Sequence, residues 1–276
     1  ELCVYLNLLT VIFFPNGFFS RNNVAYGASL EWFLGPQNYF IFWLLPALAV
    51  AYWYGSCIKD GFRNRMLVCA ILLTTLIKMS ATGRIGFLLF FLVLYFSTLK
   101  KLITPFRLLI IIGAAFVTIV LLRNFNYLEP IVVNLLGKDM TFSNRIGIWD
   151  NAIKRIIEHP ILGYGVVISS NMPQYIGDLG LSFLWLGATH CHCHYLQILF
   201  QGGLIGMSIW LTMIVKSFKA GSVNWSSKLA RISIAVLAAY LVMGITEVLD
   251  YAFIFMIIPM AYCMSSVQIN DTAVEK

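Results

Sequence analysis

Three of the four histidines in this chain lie in one short stretch, as His190, His192 and His194, alternating with Cys191 and Cys193. Histidine can take or give a proton near neutral pH without a shift of its pKa. In an extended segment the three imidazoles would share one face and the two thiols the other. The stretch could supply a general base, bind zinc or copper, or be no more than polar residues at a membrane interface.

A general base is the favoured interpretation of this stretch. Structural zinc sites usually bring their ligands from two separated places in the chain. Outside the stretch, the only other histidine is His159. A general base needs one imidazole and a positioned substrate. The sequence therefore predicts histidine-based proton transfer, with no metal and no cofactor.

The composition is typical of a membrane protein. Hydrophobic residues make up 60% of the 276 residues and charged residues 11%, whereas soluble domains carry about 25% charge. Backbone polar groups cannot stay unpaired in lipid, so apolar runs of about 20 residues predict helices. The predicted fold is all-α, a polytopic integral membrane protein with about eight transmembrane helices.

The predicted spans leave one large extracytoplasmic loop, between the fifth and the sixth. They cover about residues 2–14, 39–55, 66–77, 85–99, 108–122, 195–215, 232–248 and 251–267. The chain divides accordingly into N-terminal transmembrane helices (1–122), the large loop with the catalytic motifs (123–194) and C-terminal transmembrane helices (195–276). Since the first residue is Glu1, already followed by an apolar run, we expect the chain to be the later part of a longer protein.

The short loops set the predicted orientation. The loops 56–65, 100–107 and 216–231 hold ten Lys and Arg, which is typical of the cytoplasmic side. Alternation then places the hairpin 78–84 and the large loop outside, so the histidines face the extracytoplasmic side. The net charge of +7 reflects both this bias and arginines available for an anionic substrate.

Two arginines on the same predicted side could bind phosphate. Arg84 ends a span directly after Thr82-Gly83, where it is either an interfacial anchor or functional. Arg145 opens a helix that Ser143 or Asn144 can cap and Pro160 ends. A helix N-terminus favours an anion, and a guanidinium matches phosphate oxygens, although Arg145 could instead be an ordinary surface arginine.

Three further patterns accompany these arginines. The helix opened by Arg145 has one apolar stripe, formed by Trp149, Ala152, Ile153, Ile156 and Ile157. The spacing of Gly202 and Gly206 is typical of close helix packing. Glu247 and Asp250 end a span on the outer side, where they could function directly or pair with Arg84 or Arg145.

Three motifs appear in order along residues 80–210. They are Thr82-Gly83-Arg84; Arg145-Ile146-Gly147-Ile148-Trp149 running to Pro160-Ile161-Leu162-Gly163-Tyr164-Gly165; and His192-Cys193-His194-Tyr195-Leu196-Gln197 followed by Gly202-Gly203-Leu204-Ile205-Gly206. Together with the large outer loop, they resemble the O-antigen ligase and polysaccharide polymerase superfamily of bacterial membrane glycosyltransferases. One departure is Cys193, since the family usually has Asn after its histidine.

The resemblance implies an enzyme in the bacterial inner (plasma) membrane, with its active site on the extracytoplasmic side. It would transfer glycan from an undecaprenyl-diphosphate-linked oligosaccharide to an acceptor sugar hydroxyl, inverting the anomeric centre without a metal. Arg84 and Arg145 would bind the diphosphate, and His192 or His194 would be the base. Trp149, Tyr195 and Glu247 would support them.

The expected partners are the lipid-linked donor, an acceptor glycan and the lipid bilayer, with no nucleic acid. The acceptor would be a lipid-linked repeat unit for an O-antigen or capsular polysaccharide polymerase, the favoured hypothesis. It would be the lipopolysaccharide core, or a protein, for a ligase or protein O-oligosaccharyltransferase. From other classes, a membrane transporter and an extracytoplasmic metal-binding protein remain alternatives.

Overall fold

The fold is mostly helical. The computed structural model describes residues 1–23, 27–57, 61–96, 103–122, 145–177, 188–249 and 252–266. Its helices are α1 (Leu2–Phe13), α2 (Phe40–Cys57), α3 (Gly61–Ile77), α4 (Ala81–Phe96), α5 (Pro105–Phe116, continued by a π-helix, Val117–Leu121), α6 (Arg145–Glu158), α7 (Pro173–Ile176), α8 (His194–Val223), α9 (Lys228–Met243) and α10 (Ala252–Ser266). The predicted caps Ser143 and Asn144, and the acid Asp250, lie outside the described residues.

Each of the eight predicted apolar runs coincides with one helix, α1 to α5 or α8 to α10. Within the described ranges, two helical segments are long and apolar enough to cross a bilayer, Gln37–Cys57 and His194–Val223. Shorter apolar helices cover Leu2–Phe13, Ala81–Phe96, Pro105–Leu121 and Phe255–Ser266. The helical class is confirmed, and the apolar helices have the composition of membrane segments.

The all-α prediction missed a small sheet. Strands β1 (Phe19–Asn23), β2 (Gly27–Trp32) and β3 (Gly35–Pro36) form an antiparallel sheet in the order β1-β2-β3. The Oδ1 atom of buried Asn7 on α1 accepts from the Leu34 N–H at 2.9 Å, which ties the sheet to α1. β1 shows no alternation of apolar and polar residues, but β2 alternates from Ala28 to Trp32, a strand signal that the search for long apolar runs passed over.

Helix α9 is the centre of the bundle. Its buried residues run from Leu229 to Met243 and occupy nearly every face, as expected of a helix that is hydrophobic all round. It packs against α2, α4, α5, α8 and α10. Helices α4 and α8, which begin with predicted site residues, therefore pack directly on α9, whereas α6 packs on α8.

The helix ends lie at two opposite ends of the bundle. Each end lies on the side that the positions of the basic loops predict. At one end, contacts join Glu1 to Arg63, Tyr52 to Tyr95, Trp53 to Ser233 and Asn224 to Ser265. At the other end, contacts join Pro15 to Lys78, Thr82 to Thr246 and Phe116 to Tyr195. Consecutive apolar helices therefore run in alternating directions, and all the predicted site residues that the structure describes lie towards the second end.

Helix α8 is broken at Gly203, whose φ of 56° and ψ of −157° lie in a region that only glycine populates readily. The segment 160–165 packs into this break. Tyr164 and Gly165 donate their N–H groups to the carbonyls of Phe200 and Gln201, at 2.8 and 2.9 Å. In return, the N–H groups after the break donate to the segment: Leu204 to Pro160 at 2.8 Å and Ile205 to Ile161 at 3.2 Å.

Close backbone contact therefore occurs at Gly203 rather than at the predicted Gly202–Gly206 pair. A Cβ on Gly203 would overlap the carbonyl of Ile161, whereas a Cβ on Gly202 would meet nothing within 4 Å. At Gly206 the nearest atom is a carbonyl of α8 itself, that of Ile198 at 3.9 Å. The motif ending in Gly163-Tyr164-Gly165 and the glycine-rich part of α8 form one backbone junction.

We expect Gly203→Ala to destabilise the protein by about 3 kcal/mol or more, because it combines backbone strain with overlap onto Ile161. Thermal denaturation of the detergent-solubilised protein measures the effect. Gly202→Ala is the matched control and should change stability by less than about 1 kcal/mol. Equal effects of the two substitutions would contradict the role given to the junction.

Candidate active site

The starts of three helices meet the turn that follows α9. Thr82 in the first turn of α4 lies 3.3 Å from Thr246, between the two Oγ1 atoms. Arg145 begins α6 and donates through Nη1 to the Thr246 carbonyl. His194 begins α8 and donates its N–H to the Gly244 carbonyl at 2.8 Å. Three separate parts of the chain are thus held at one turn, residues 244–249.

Arg145 is held by an ion pair as well. Its Nη2 atom lies 2.8 Å from Oε1 of Glu247, and the two side chains are only 18% and 16% exposed. Of the pairings left open by the sequence, the structure thus shows Glu247 with Arg145. A guanidinium has five N–H donors in a fixed plane, so two bonds orient Arg145 and leave donors available for an anion.

Arg84 is not brought into this cluster. It lies in the first turn of α4, two residues after Thr82, and consecutive α-helical residues are rotated by about 100°. Its side chain therefore leaves α4 on the side opposite Thr82, where it is exposed. Among the described residues, the Arg84 guanidinium has no hydrogen-bond partner. Its diphosphate-binding role stays a prediction.

His192 is the histidine whose ring remains available. Its φ of 49° is left-handed, and among described non-glycine residues it alone has a positive φ. The turn places the imidazole 4.0 Å from the ring of His190, centroid to centroid. The His192 N–H donates to Nδ1 of His190 at 3.3 Å. The buried Nδ1 atom of His192 has no hydrogen-bond partner within the described part of the chain.

The surroundings of His192 favour the neutral imidazole. Burial, the neighbouring His190 and the positive charge of Arg145 all hold the pKa of His192 well below its ordinary value near 6.5. A neutral imidazole has one unprotonated nitrogen that can accept a proton. His192 thus combines the charge state of a base with a buried, unsatisfied ring atom close to Arg145.

His194, by contrast, is fully engaged in the core. Its Nδ1 atom accepts from the Leu249 N–H at 3.3 Å, which assigns its proton to Nε2. Nε2 lies 3.1 Å from the Tyr240 hydroxyl, which donates to the Leu249 carbonyl at 3.1 Å. A base needs a free nitrogen in reach of substrate. The structure therefore disfavours His194 as a base and gives it a role in joining α8 to α9.

The two predicted supporting aromatic residues are also part of the core. The Tyr195 hydroxyl donates to the Leu241 carbonyl at 2.6 Å, and its ring packs on Phe116 and Trp210. Trp149 is fully buried on α6. These residues position α8 and α6. The predicted apolar stripe of α6 faces the core except at Ile157, which is 70% exposed. Ile148, which was not included in the stripe, is buried.

The histidines and cysteines do not form the extended, two-faced segment that their alternation suggested. The left-handed turn at His192 and the start of α8 at His194 send the two rings in different directions. Cys191 and Cys193 are buried, and burial raises the pKa of both thiols. Protonated thiols are poor metal ligands. No cluster of three metal-ligating side chains lies among the described residues.

Sequence reasoning missed three groups that build the site. Tyr240 could have been found, because a lone hydroxyl in an apolar helix needs a partner. Thr246 binds Arg145 through its backbone carbonyl, and a backbone contact cannot be predicted from a pattern of side chains. Gln197 accepts the Cys191 N–H on Oε1 at 2.9 Å and so fixes the loop before His192. It belongs to a predicted motif, but its role required the fold.

Cys193 occupies the N-cap of α8, where the resemblance leads one to expect Asn. Its side chain makes no capping hydrogen bond, although its sulfur lies near the N–H groups of Tyr195 and Leu196. Asparagine is among the strongest N-cap residues. The departure from the motif therefore weakens a helix cap.

We expect Cys193→Asn to stabilise the protein by about 1 kcal/mol, since the amide oxygen can accept from those N–H groups. Thermal denaturation in detergent measures it. Cys191→Asn is the matched control, because it places the same amide at a buried position that caps no helix, and it should destabilise. A loss of stability in both variants would contradict the capping role.

The chain is similar in sequence to known proteins. The family described as O-antigen ligase matches residues 66–211, more than half of the chain. A protein of Rickettsia conorii named "Putative polysaccharide ligase" is 30% identical over 116 residues, which are 40% of this chain and 27% of that relative. The chain thus spans little more than a quarter of the relative's length. Members of the matched family are membrane proteins, and their ligase and polymerase activities transfer glycans. Because its model covers more than half of the sequence and includes the turns at Thr82, Arg145 and His192, the chain belongs to the O-antigen ligase family.

Proposed function

We propose that this protein is a membrane glycosyltransferase that moves glycan from an undecaprenyl-diphosphate carrier to the hydroxyl of an acceptor sugar. The observation that carries the proposal is that His192, with an unsatisfied ring nitrogen, lies within electrostatic range of Arg145. An imidazole nitrogen that is buried and has no hydrogen-bond partner among the described residues lies within electrostatic range of a cation that one turn holds in place. Acceptor activation and leaving-group stabilisation need these two groups.

The reaction follows from their chemistry. Nδ1 of His192 takes the proton of the acceptor hydroxyl while its oxygen bonds to the anomeric carbon. The bond from that carbon to the diphosphate breaks, and its electron pair leaves with the diphosphate. Arg145 stabilises the negative charge that develops there. Direct attack inverts the anomeric centre, and the step needs no metal.

Glu247 has a positioning role in this proposal. It orients Arg145 from one side at 2.8 Å, and the Thr246 carbonyl holds the same guanidinium. An ion pair that is partly buried also moderates the net positive charge next to His192. The diphosphate would then bind the remaining donors of Arg145, with Arg84 as a second, exposed cation at the same end of the bundle.

We place the protein in the bacterial inner membrane, with α1 to α5 and α8 to α10 as eight crossing helices. The alternating helix ends support this placement. The end opposite the site carries Arg63, Lys216, Lys219, Lys228 and Arg231, as the cytoplasmic side requires. The site then opens towards the outer leaflet, where a lipid-linked donor presents its diphosphate.

The favoured activity is that of an O-antigen or capsular polysaccharide polymerase, with a lipid-linked repeat unit as acceptor. A ligase that uses the lipopolysaccharide core is the second candidate, favoured by the names of the family and of the Rickettsia conorii relative. The two differ in the glycan that accumulates when the protein fails. A polymerase defect leaves single repeat units on the lipid carrier, and a ligase defect leaves long glycan on the lipid carrier.

We expect His192→Ala and Arg145→Ala each to lower transfer at least about 10²-fold, because one removes the base and the other the charge that stabilises the leaving group. The measurement is the surface glycan pattern of a strain lacking its own gene and complemented with each variant. Membrane abundance of each variant is measured in parallel.

The matched controls are His159→Ala and Lys154→Ala, an exposed histidine and an exposed cation outside the cluster. Both should keep the wild-type pattern. Wild-type glycan in His192→Ala or Arg145→Ala at normal abundance would overturn the proposed site. Accumulation of lipid-linked single units or of lipid-linked long chains would assign the polymerase or the ligase activity.

Activity should persist on the acid side of neutrality. An imidazole of ordinary pKa is about three quarters protonated at pH 6, but the lowered pKa of His192 keeps the neutral, base-competent form there. On the acid side, kcat/KM should therefore fall to half its maximum only below pH 6.5. We call this fall the acid limb, and it is measured in isolated membranes. His190→Asn keeps an acceptor for the His192 N–H and removes a neighbouring charge, so it should move that limb to higher pH. A wild-type limb above pH 6.5 would contradict the assignment.

A further inference from the structure

Helix α8 folds back on itself at Gly203. Trp210 follows His194 by 16 residues, and an uninterrupted helix would separate them by about 24 Å along its axis. The Trp210 ring nevertheless lies 5.7 Å from the His194 ring and 5.5 Å from the Tyr195 ring, centroid to centroid. Side chains of this size cannot bridge the difference. Residues 194–202 and 204–223 are therefore two limbs, and Trp210 on the second limb packs on the start of the first.

The two limbs have different roles. In the membrane placement proposed above, the second limb has 20 residues, which is the length that crosses hydrocarbon. The first limb doubles back along it, and its first turn carries His194 and Tyr195 directly after the turn at His192. Contacts between the limbs therefore help to position the site, in addition to the turn 244–249.

Trp210 makes the contact between the limbs through its ring. The interplanar angles to His194 and Tyr195 are 73° and 82°, and edge-to-face packing is a favourable arrangement of aromatic pairs. Phe116 packs on Tyr195 as well, at 4.7 Å. Trp210 is only 7% exposed, so the contact belongs to the interior of the bundle.

The indole N–H of Trp210 takes no part in this packing. Its Nε1 atom is buried and has no hydrogen-bond partner in the ranges that the structure describes. A buried tryptophan usually finds a partner for this group, and a buried donor left unpaired is unfavourable. A phenylalanine at this position would keep an aromatic ring and remove the unpaired donor.

The turn at His192 needs support from its surroundings. A residue other than glycine keeps a φ such as the 49° of His192 only where the surrounding structure determines its conformation. From α9, the support is the bond between the His194 N–H and the Gly244 carbonyl. From the second limb of α8, the support is Trp210, which packs on the same histidine.

We propose that Trp210 is a positioning residue for the transfer reaction, because its ring holds the first turn of α8, and with it the His192 turn, next to Arg145. Trp210 acts through His194 and Tyr195 and not on the substrate. The catalytic consequence rests on the proposed function, whereas the contact between the limbs does not.

The first test measures whether Trp210 keeps the His192 turn closed. The thiols of Cys191 and Cys193, on either side of His192, are buried. The full chain in detergent is treated with a maleimide, and labelling is located by mass spectrometry, with the exposed Cys57 as a reference. Trp210→Leu should raise the labelling rate of Cys191 and Cys193 at least about 10-fold, because two aromatic contacts are lost. Trp210→Phe should keep both thiols protected.

The second test measures transfer in isolated membranes at matched abundance of the protein. In Trp210→Leu, kcat should fall at least about 10-fold, since a misplacement of about 1 Å can cost about 10²-fold. The acid limb should move to higher pH, because the His192 ring is released from its buried position near Arg145. Trp210→Phe should restore both. If Trp210→Leu does not accumulate, Trp210→Met replaces it.

Trp53→Leu is the matched control. It removes a buried tryptophan at the opposite end of the bundle, so it lowers stability without opening the His192 turn. Changes confined to Trp210→Leu and restored in Trp210→Phe support the inference. Equal effects of Trp210→Leu and Trp53→Leu, or faster labelling with unchanged kcat, would overturn it. So would an equal loss in Trp210→Phe, which would assign the role to the N–H.

The labelling rate does not depend on transfer. Failure of the proposed function, seen as full transfer in His192→Ala, is therefore distinguished from failure of the contact between the limbs, seen as protected thiols in Trp210→Leu.

Discussion

His194 donates its N–H to the Gly244 carbonyl, and its ring contacts the Tyr240 hydroxyl and accepts from the Leu249 N–H. Tyr240 in turn donates to the Leu249 carbonyl. These bonds lie where α8 begins and where the chain leaves α9. A buried hydrogen bond adds only about 1 kcal/mol, but a buried group left unpaired costs more. The start of α8 therefore has one favourable position relative to the turn after α9. The conformation of His192, two residues earlier, depends on that position.

The same turn also fixes the cation. Thr246 and Glu247 bind the guanidinium of Arg145 from two sides, and Gly244 and Leu249 bind His194. His192 and Arg145 are thus both positioned relative to one stretch of six residues, 244–249. Preorganised charge is effective in catalysis because it needs no rearrangement when the reaction proceeds. Here the buried helix α9 supplies the rigid support for that stretch.

The sequence allowed the helices, their alternating direction and the candidate pairing of Glu247 with Arg145 to be predicted, since hydropathy and charge report burial and side. It could not separate the roles of His192 and His194. Alternation of residue types describes an extended chain, and the left-handed turn at His192 breaks that geometry. The break at Gly203 was hidden for a similar reason: a glycine's φ depends on the partner backbone, here 40 residues earlier at Gly163.

Helix α6 is held at both ends by backbone groups of distant segments. Its first residue, Arg145, bonds the turn after α9, and the chain just beyond its last turn enters the break in α8 through Pro160 to Gly165. Both segments that hold α6 are hydrogen-bonded to α8. The turn after α9 is bonded to His194, and the segment 160–165 is bonded on either side of Gly203. The distance between Arg145 and His192 is therefore set by a closed loop of helices. We therefore expect a change at the Gly203 junction to reach the site through α6.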